Sequence, residues 1–267
     1  MKRYHVVEFE DLPWFPSFLR DAMTRTLVAF VGVMGADRVI AAEVRRALLK
    51  THEERIVDLG SGAGGVMPSI VEELRNQGQK VDLLLTDLYP NQQAIDALTT
   101  PERPWLQYRP SPLDATELSN APQGLKTMIN SFHHLRPEQA KALLHSAAAH
   151  RQPLLIYELS HKRLPMALWI PLLPISLLLT MLLGMLSTLK VRPLPMSQIV
   201  LTFLIPLIPL FYAWDGQASM MRMYSFDELQ SMTEDAPRTG YTWDIKQATD
   251  DSGKTIGMVL RGIPTET

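Results

Sequence analysis

The sequence predicts an α/β chain: strands alternating with helices, closed by a β-hairpin and interrupted by an apolar helical insertion. Three observations carry this. Residues 56–65, Ile-Val-Asp-Leu-Gly-Ser-Gly-Ala-Gly-Gly, read as a strand running into a glycine turn, with a helix over Val66–Gln77 behind it. Short apolar runs then alternate with helical patterns as far as Glu158. Finally, Leu164–Leu189 and Pro193–Trp214 carry no charged residue.

Length and composition agree with one large domain bearing an insertion. The chain has 267 residues, 46% hydrophobic, ample for a core. A formal net charge of −2 gives no sign of nucleic-acid binding, and the lack of cysteine excludes disulfides and thiolate metal sites. Glu8, Glu10 and Asp11 interrupt any apolar core near the start, so a cytoplasmic start is expected.

Taken in order, residues 1–20 are rich in aromatics and prolines, and Asp21–Leu49 reads as helical with an interruption near Gly32 and Gly35. The bland reading of Phe9, Trp14, Phe15 and Phe18 is core packing. A second strand over 81–87 ends in Asp87, and Gln92–Leu98 reads as a helix. Trp105–Arg109 is the expected third strand. Lys126–Leu135 holds the fourth strand and its exit loop. Pro137–His150 is a helix with proline at its start and Ala140, Leu143, Leu144 and Ala147 on one face. Pro153–Glu158 is a fifth strand. Ser225 caps a helix over Phe226–Thr233, with Glu228 at the capping-box position. Thr242–Thr249 and Thr255–Arg261 flank Asp250-Asp251-Ser252-Gly253 as a hairpin.

The glycine turn admits two nucleotide ligands. Gly60-x-Gly62-x-x-Gly65 fits the dinucleotide fingerprint, whose pyrophosphate seeks bare amides at a helix N-terminus. Asp58-Leu59-Gly60-Ser61-Gly62-Ala63-Gly64 resembles motif I of class I S-adenosylmethionine-dependent methyltransferases, E/D-x-G-x-G-x-G. A carboxylate at 58 suits a ligand carrying a sulfonium and an ammonium. Asp87, ending the second strand, is placed to accept both ribose hydroxyls of either ligand; its competing role is a turn aspartate before Pro90.

The resemblance covers about residues 25–160 and 220–263 and implies a Rossmann-like seven-stranded sheet with an antiparallel last strand. It implies S-adenosylmethionine as cofactor, with Gly60, Gly62 and Gly64 approaching it backbone-first. Asp58 faces its methionine part, Asp87 its ribose and Asp114 its adenine, with Ser61, Leu88, Ala115 and Asn130 adjoining. Asp114 reads equally as a solvated loop residue. N-terminal helices in this family often fold over cofactor and acceptor. Glu8–Asp21 and Trp214–Ser225 resemble a bacterial group of these enzymes with no assigned acceptor.

Ligands bind beyond the carboxyl ends of strands in open α/β sheets, so the exit of the fourth strand, Asn130-Ser131-Phe132-His133-His134, is privileged. His133 or His134 is placed to act as general base, and Glu158 to reach an acceptor. A His-His pair here is common across the resembling family, so it supports the fold more than a mechanism. No metal centre is expected, since no third ligand is evident nearby.

Each uncharged run exceeds the roughly 20 residues that cross a bilayer. Three readings stand: a membrane hairpin, a hydrophobic lid over the acceptor pocket, or a self-association surface. His161, Lys162 and Arg163 flank the block and Lys190 and Arg192 mark its tip, so basic residues lie on both sides and give no clean orientation. A shallow hairpin meeting lipid headgroups resolves that conflict. Prolines 165, 171, 174, 193, 195, 206 and 209 suit broken helices. Asp215, Arg222 and Tyr224 either contact acceptor or headgroups or form a structural turn.

The expected organisation is therefore a helical cap over 1–50, a methyltransferase domain over 51–162 and 215–267, and a membrane-associated or lid insertion over 163–214. The expected reaction is methyl transfer to a small lipophilic or lipid-linked acceptor at the cytoplasmic face of a membrane. An NAD(P)-dependent oxidoreductase, a membrane-tethered non-catalytic module and an aminopropyl transferase on the same fold are the alternatives.

Overall fold

A computed structural model describes residues 3–160, 164–237 and 239–265. The flanking residues His161, Lys162 and Arg163 lie outside the described residues. The chain forms two compact units, one of residues 36–160 with 225–265, the other of 3–35 with 164–224.

The larger unit is built on seven strands: β1 (Arg55–Leu59), β2 (Asp82–Thr86), β3 (Leu106–Tyr108), β4 (Leu125–Ile129), β5 (Leu154–Glu158), β6 (Tyr241–Thr249) and β7 (Thr255–Pro264). Their order is β3-β2-β1-β4-β5-β7-β6. The first five are parallel, while β7 runs antiparallel to β5 with Leu154 opposite Gly262 and Glu158 opposite Met258. Parallel strands covered on both faces read as unbroken apolar runs, and β5 is buried along its whole length. The β6–β7 turn is tied by Asp250, whose Oδ1 accepts the N–H groups of Ser252 and Lys254 at 2.9 and 3.0 Å.

The helices of this unit follow their apolar faces. They are α2 (Ala36–Thr51), α3 (Met67–Asn76), α4 (Gln92–Leu98), α5 (Pro137–Ala149) and α9 (Phe226–Glu234). Helix α3 buries Met67, Ile70, Val71 and Leu74, and α5 buries Ala140, Leu143, Leu144 and Ala147, each set one helical stripe. Pro137 opens α5, where its missing N–H leaves no helical bond unmade. Ser225 and Glu228 close the capping box at α9: Ser225 Oγ accepts from Glu228 N and Glu228 Oε2 accepts from Ser225 N.

The strand order reverses between β1 and β4, because the chain leaves β1 toward β2 and β3 and returns on the other side. That switch point opens a crevice beyond the carboxyl ends of β1 and β4.

The smaller unit holds α1 (Ser17–Val33), α6 (Met166–Thr188), α7 (Met196–Ile199), a π-helical stretch over Val200–Leu204 and α8 (Leu207–Arg222). The two helices of the 1–50 stretch thus part company: α1 belongs with the apolar block, α2 with the sheet. Helix α6 runs without a break through Pro171 and Pro174. The break falls instead in the second limb, where Met196–Leu204 and Leu207–Arg222 meet at 76°. Ile205, ahead of Pro206, has φ −126° and ψ 87°, the extended conformation that a following proline imposes.

On α6 the usual distribution of polarity is reversed. The buried residues of α6 are Trp169, Gly184, Ser187 and Thr188, while ten large apolar residues from Leu168 to Leu189, among them Ile175, Leu179, Leu183 and Leu186, are exposed. Buried Gln198 donates from Nε2 to Ala22 O and Thr26 Oγ1 at 3.1 and 3.0 Å, and accepts from Arg25 Nε at 3.1 Å. Gln217 Nε2 donates to Thr180 Oγ1 at 3.0 Å. A Cβ on Gly184 would sit 2.9 Å from the Tyr212 ring, so glycine lets α6 and α8 close together.

The charges near the end of α8 are structural. Asp215 accepts the N–H groups of Phe9 and Glu10 at 2.8 and 3.1 Å. Arg222, 1% exposed, meets Glu8 at 3.2 Å and Asp11 at 2.5 Å, and Arg3 lies over the Tyr224 ring. Of the two expectations for Asp215, Arg222 and Tyr224, the structural turn is the one these contacts describe. Phe9 and Phe15 pack against Phe211, but Trp14 and Phe18 are 68% and 53% exposed, so core packing accounts for only part of the N-terminal aromatics.

Candidate active site

The glycine turn connects β1 to α3 and is held from β2 and β3. Gly62 N donates to Asp87 Oδ2 at 2.8 Å, and Tyr108, at the end of β3, donates from its hydroxyl to Gly62 O at 2.8 Å. Ser61 N donates to Thr86 O at 3.0 Å. Gly62 has φ +51°, and the space its missing Cβ would occupy is open. Gly64 differs: a Cβ there would lie 2.6 Å from Leu98 of α4. Gly62 therefore leaves room for a ligand, whereas Gly64 makes room for a neighbouring helix.

Asp58 sits at the tip of β1, 5% exposed, with its side chain directed to the turn and to β4. Ser61 Oγ donates to its Oδ2 at 2.7 Å and Thr127 Oγ1 to its Oδ1 at 2.6 Å. Burial pushes its carboxyl up to about 7, the charge of Asp87 adding and the two hydroxyls opposing. A buried carboxylate of this kind is stabilised by an approaching cation and opposed by an approaching phosphate.

Asp87 follows β2. Its Oδ1 accepts Tyr89 N at 2.8 Å, so the turn role and the link to Gly62 coexist in one carboxylate. Each oxygen retains a lone pair for a further donor. Leu113 N donates to Asp87 O at 2.9 Å, which brings the loop carrying Asp114 and Ala115 beside the β2 exit. Asp114 is exposed, and its Oδ1 is engaged by Thr116 N and Oγ1 at 2.8 and 2.7 Å. Leu88 is 41% exposed at the same edge.

At the β4 exit, Asn130 has φ +54° and its Oδ1 accepts Leu159 N at 2.9 Å, joining the ends of β4 and β5. Ser131 then opens a short 3₁₀ turn, Phe132–His134. Its Oγ is buried and has no hydrogen-bond partner, and it lies 3.7 Å from where a Cβ on Gly60 would be.

Glu158, at the tip of β5, grips His133 twice. Its Oε1 accepts His133 N at 3.0 Å and its Oε2 lies 2.8 Å from His133 Nδ1. Both side chains are buried. The carboxylate thus orients the imidazole through Nδ1 as well as holding its backbone. The His134 ring packs on it at 4.4 Å between centroids.

No protein-family model and no curated protein matches the chain. Among solved structures it is similar to the plantazolicin methyltransferase BpumL in complex with SAH, at 12% identity and a TM-score of 0.52 over 93% of this chain and 98% of that one. The methyltransferase domain of bacterial CtHen1 matches at 12% identity and 0.47 over 86% and 99%. Human N-acetylserotonin methyltransferase in complex with SAM matches at 11% and 0.48 over 86% and 52%. The sheet order and the antiparallel β7 between β5 and β6 agree with the first of these in deciding the architecture.

The chain has the class I methyltransferase fold. Within it, Asp58, Gly60, Ser61, Gly62, Asp87 and Asn130 converge on the carboxyl edge of β1, β2 and β4, with His133 and Glu158 beside them at β4 and β5. Gly64 is turned to protein packing and Asp114 to its own turn. Sequence reasoning missed Thr127, Tyr108 and the Ser131 hydroxyl. Thr127 and Tyr108 become partners of the β1 turn only through strand pairing, which leaves no mark in the local pattern; the run Asn130–His134 was the one available pointer to Ser131.

Proposed function

We propose that the protein transfers a methyl group from S-adenosylmethionine to a lipophilic acceptor at a membrane surface. The observation that carries the cofactor assignment is the arrangement around Gly62: open space above its Cα, Asp87 bonded to its amide, and the buried Asp58 carboxylate one strand tip away. That set suits a ligand with a ribose diol at one end and positive charge at the other. When bound, S-adenosylmethionine supplies an electrophilic methyl group on sulfur.

The chain's own residues hold the geometry and manage a proton. The Gly62 peptide and Asp87 orient the ribose, and Asp58 favours the cationic end. In-line methyl displacement then needs an aligned acceptor. Where that acceptor is a hydroxyl or another protonated group, the His133 imidazole, backed by Glu158, is the group placed to take its proton. Glu158 orients the ring and stabilises the charge that forms on it.

The membrane part of the reading rests on the smaller unit. Small and polar residues of α6 line its helix contacts while leucines and isoleucines face outward, the arrangement expected where the surroundings are lipid. The lid and self-association readings leave unexplained why Gln198, Thr26 and Thr180 form internal hydrogen bonds under an apolar exterior.

The test is transfer of a labelled methyl group from S-adenosylmethionine into total lipid and polar extracts, with Asp87→Ala as control and parallel titration with NADH. Label in the lipid fraction, lost in the control, supports the reading. Tight NADH binding without S-adenosylmethionine binding overturns it.

A further inference from the structure

Strand β6 is an edge of the sheet: it pairs with β7 and has no strand on its other flank among the described residues. The phase of the ladder tells which backbone groups that flank presents. Gly240 O accepts Thr265 N at 2.9 Å, and Tyr241 stands opposite Pro264, which has no N–H to give. Bonded and non-bonded pairs alternate along an antiparallel ladder. Thr242, Asp244 and Lys246 therefore turn their N–H and C=O groups to β7, while Trp243, Ile245 and Gln247 turn theirs outward. The register runs without a slip from Tyr241 to Ala248.

An open row of this kind is a template for another strand, and charge at the edge commonly discourages such pairing. Here the charges select a register. The strand carries Asp244 and Lys246, two residues apart and so on one face. Asp244 is bonded to Arg261 and Lys246 Nζ lies 3.2 Å from Glu43, yet the two side chains remain 49% and 37% exposed. Antiparallel pairing with a second copy about a two-fold axis at Ile245 sets Asp244 of each copy opposite Lys246 of the other. It also brings the outward backbone groups of Ile245 against Ile245 and of Trp243 against Gln247. Moving the axis one residue either way sets Asp244 against Asp244 or Lys246 against Lys246, which opposes pairing. On the other face of the strand, a cleft of about 530 Å³ lined by Phe226, Trp243 and Ile245 adds apolar surface beside the axis.

We propose that β6 is a self-association edge: two copies of the chain pair β6 with β6, antiparallel and centred on Ile245, so that one sheet runs through both. The two Asp244–Lys246 pairs across the axis fix the register, and the partner is a second copy because the strand is complementary to itself.

The experiment is sedimentation of the full chain and its variants in detergent solution over a range of concentrations. The wild type is expected to dimerise. Asp244→Lys and Lys246→Asp each place like charges opposite at both pairs and should weaken the dimer roughly tenfold or more. An equimolar mixture of these two variants restores opposite charges at both pairs and should recover the dimer as a hybrid, which also shows that each variant is folded. Because the chain has no cysteine, Asp244→Cys mixed with Lys246→Cys should give a disulfide-linked hybrid on oxidation, and neither variant alone should cross-link. A monomeric wild type, single variants that dimerise as tightly as it does, a mixture that stays monomeric, or cross-linking by Asp244→Cys alone overturns the proposal.

Discussion

Glu158 holds His133 at both its backbone N–H and its Nδ1, at 3.0 and 2.8 Å, with the two side chains buried between the tips of β4 and β5. One carboxylate thus fixes the loop and the ring together. Replacing Glu158 by Gln puts an amide N–H against one of two donors and removes the charge that supports a protonated ring. Glu158→Gln is expected to lower kcat by about 10²-fold or more, with KM for S-adenosylmethionine changed little. His133→Ala is expected to cost about 10²–10⁴-fold in kcat. Steady-state kinetics across pH checks both, and a kcat insensitive to either substitution removes the base from the mechanism.

Cofactor binding is expected to be proton-linked through Asp58. Its carboxyl is raised from 3.8 to about 7 by burial, so the folded chain retains a proton there that the unfolded chain has already lost. Stability from this group is therefore greatest below about pH 4, declines as pH rises toward 7 and is level above that. A cationic ligand favours the ionised form, so affinity for S-adenosylmethionine should climb with pH to about 7 and then flatten. Titration at pH 6 in buffers of different ionisation enthalpy should show release of up to about one proton, absent in Asp58→Asn.

Two glycines of the same turn should answer differently to alanine. Gly64→Ala drives a methyl into Leu98 and forces an unfavourable φ of +103°, so a loss of about 2–4 kcal/mol is expected by urea unfolding. Gly62→Ala meets open space at φ +51° and should cost only about 1 kcal/mol while abolishing cofactor binding, because its methyl enters the ligand's volume. Comparable stability losses for the two would contradict the distinction drawn between them.

Helix α6 should govern lipid association. Leu179 and Leu183 are 55% and 46% exposed, and arginine at a lipid-facing position costs roughly 2.5–3.5 kcal/mol per residue. Vesicle flotation of Leu179→Arg/Leu183→Arg is expected to leave the protein in the soluble fraction, with S-adenosylmethionine binding intact. Persistence in the floated fraction would assign lipid contact elsewhere.

The sheet was legible in the chain because its parallel strands are buried on both faces and so write themselves as apolar runs ending in Asp58, Asp87 and Glu158. The glycine turn was legible for a similar reason: backbone at positive φ with open space demands glycine. What escaped depends on neighbours distant in sequence. Thr127 meets Asp58 only because β4 pairs with β1. Nothing local distinguishes α1 from α2, since both are helical patterns and differ only in what covers them. Seven prolines announce a broken helix without saying where. Pro171 and Pro174 are accommodated inside α6, while Ile205-Pro206 breaks the other limb.

The peptide of Gly62 is already fastened on both sides, its N–H by Asp87 and its C=O by Tyr108. A cradle in its working shape before anything arrives has little disorder left to lose. Capture of the nucleoside should accordingly proceed in a single fast phase, with a heat-capacity change no larger than the apolar surface it covers.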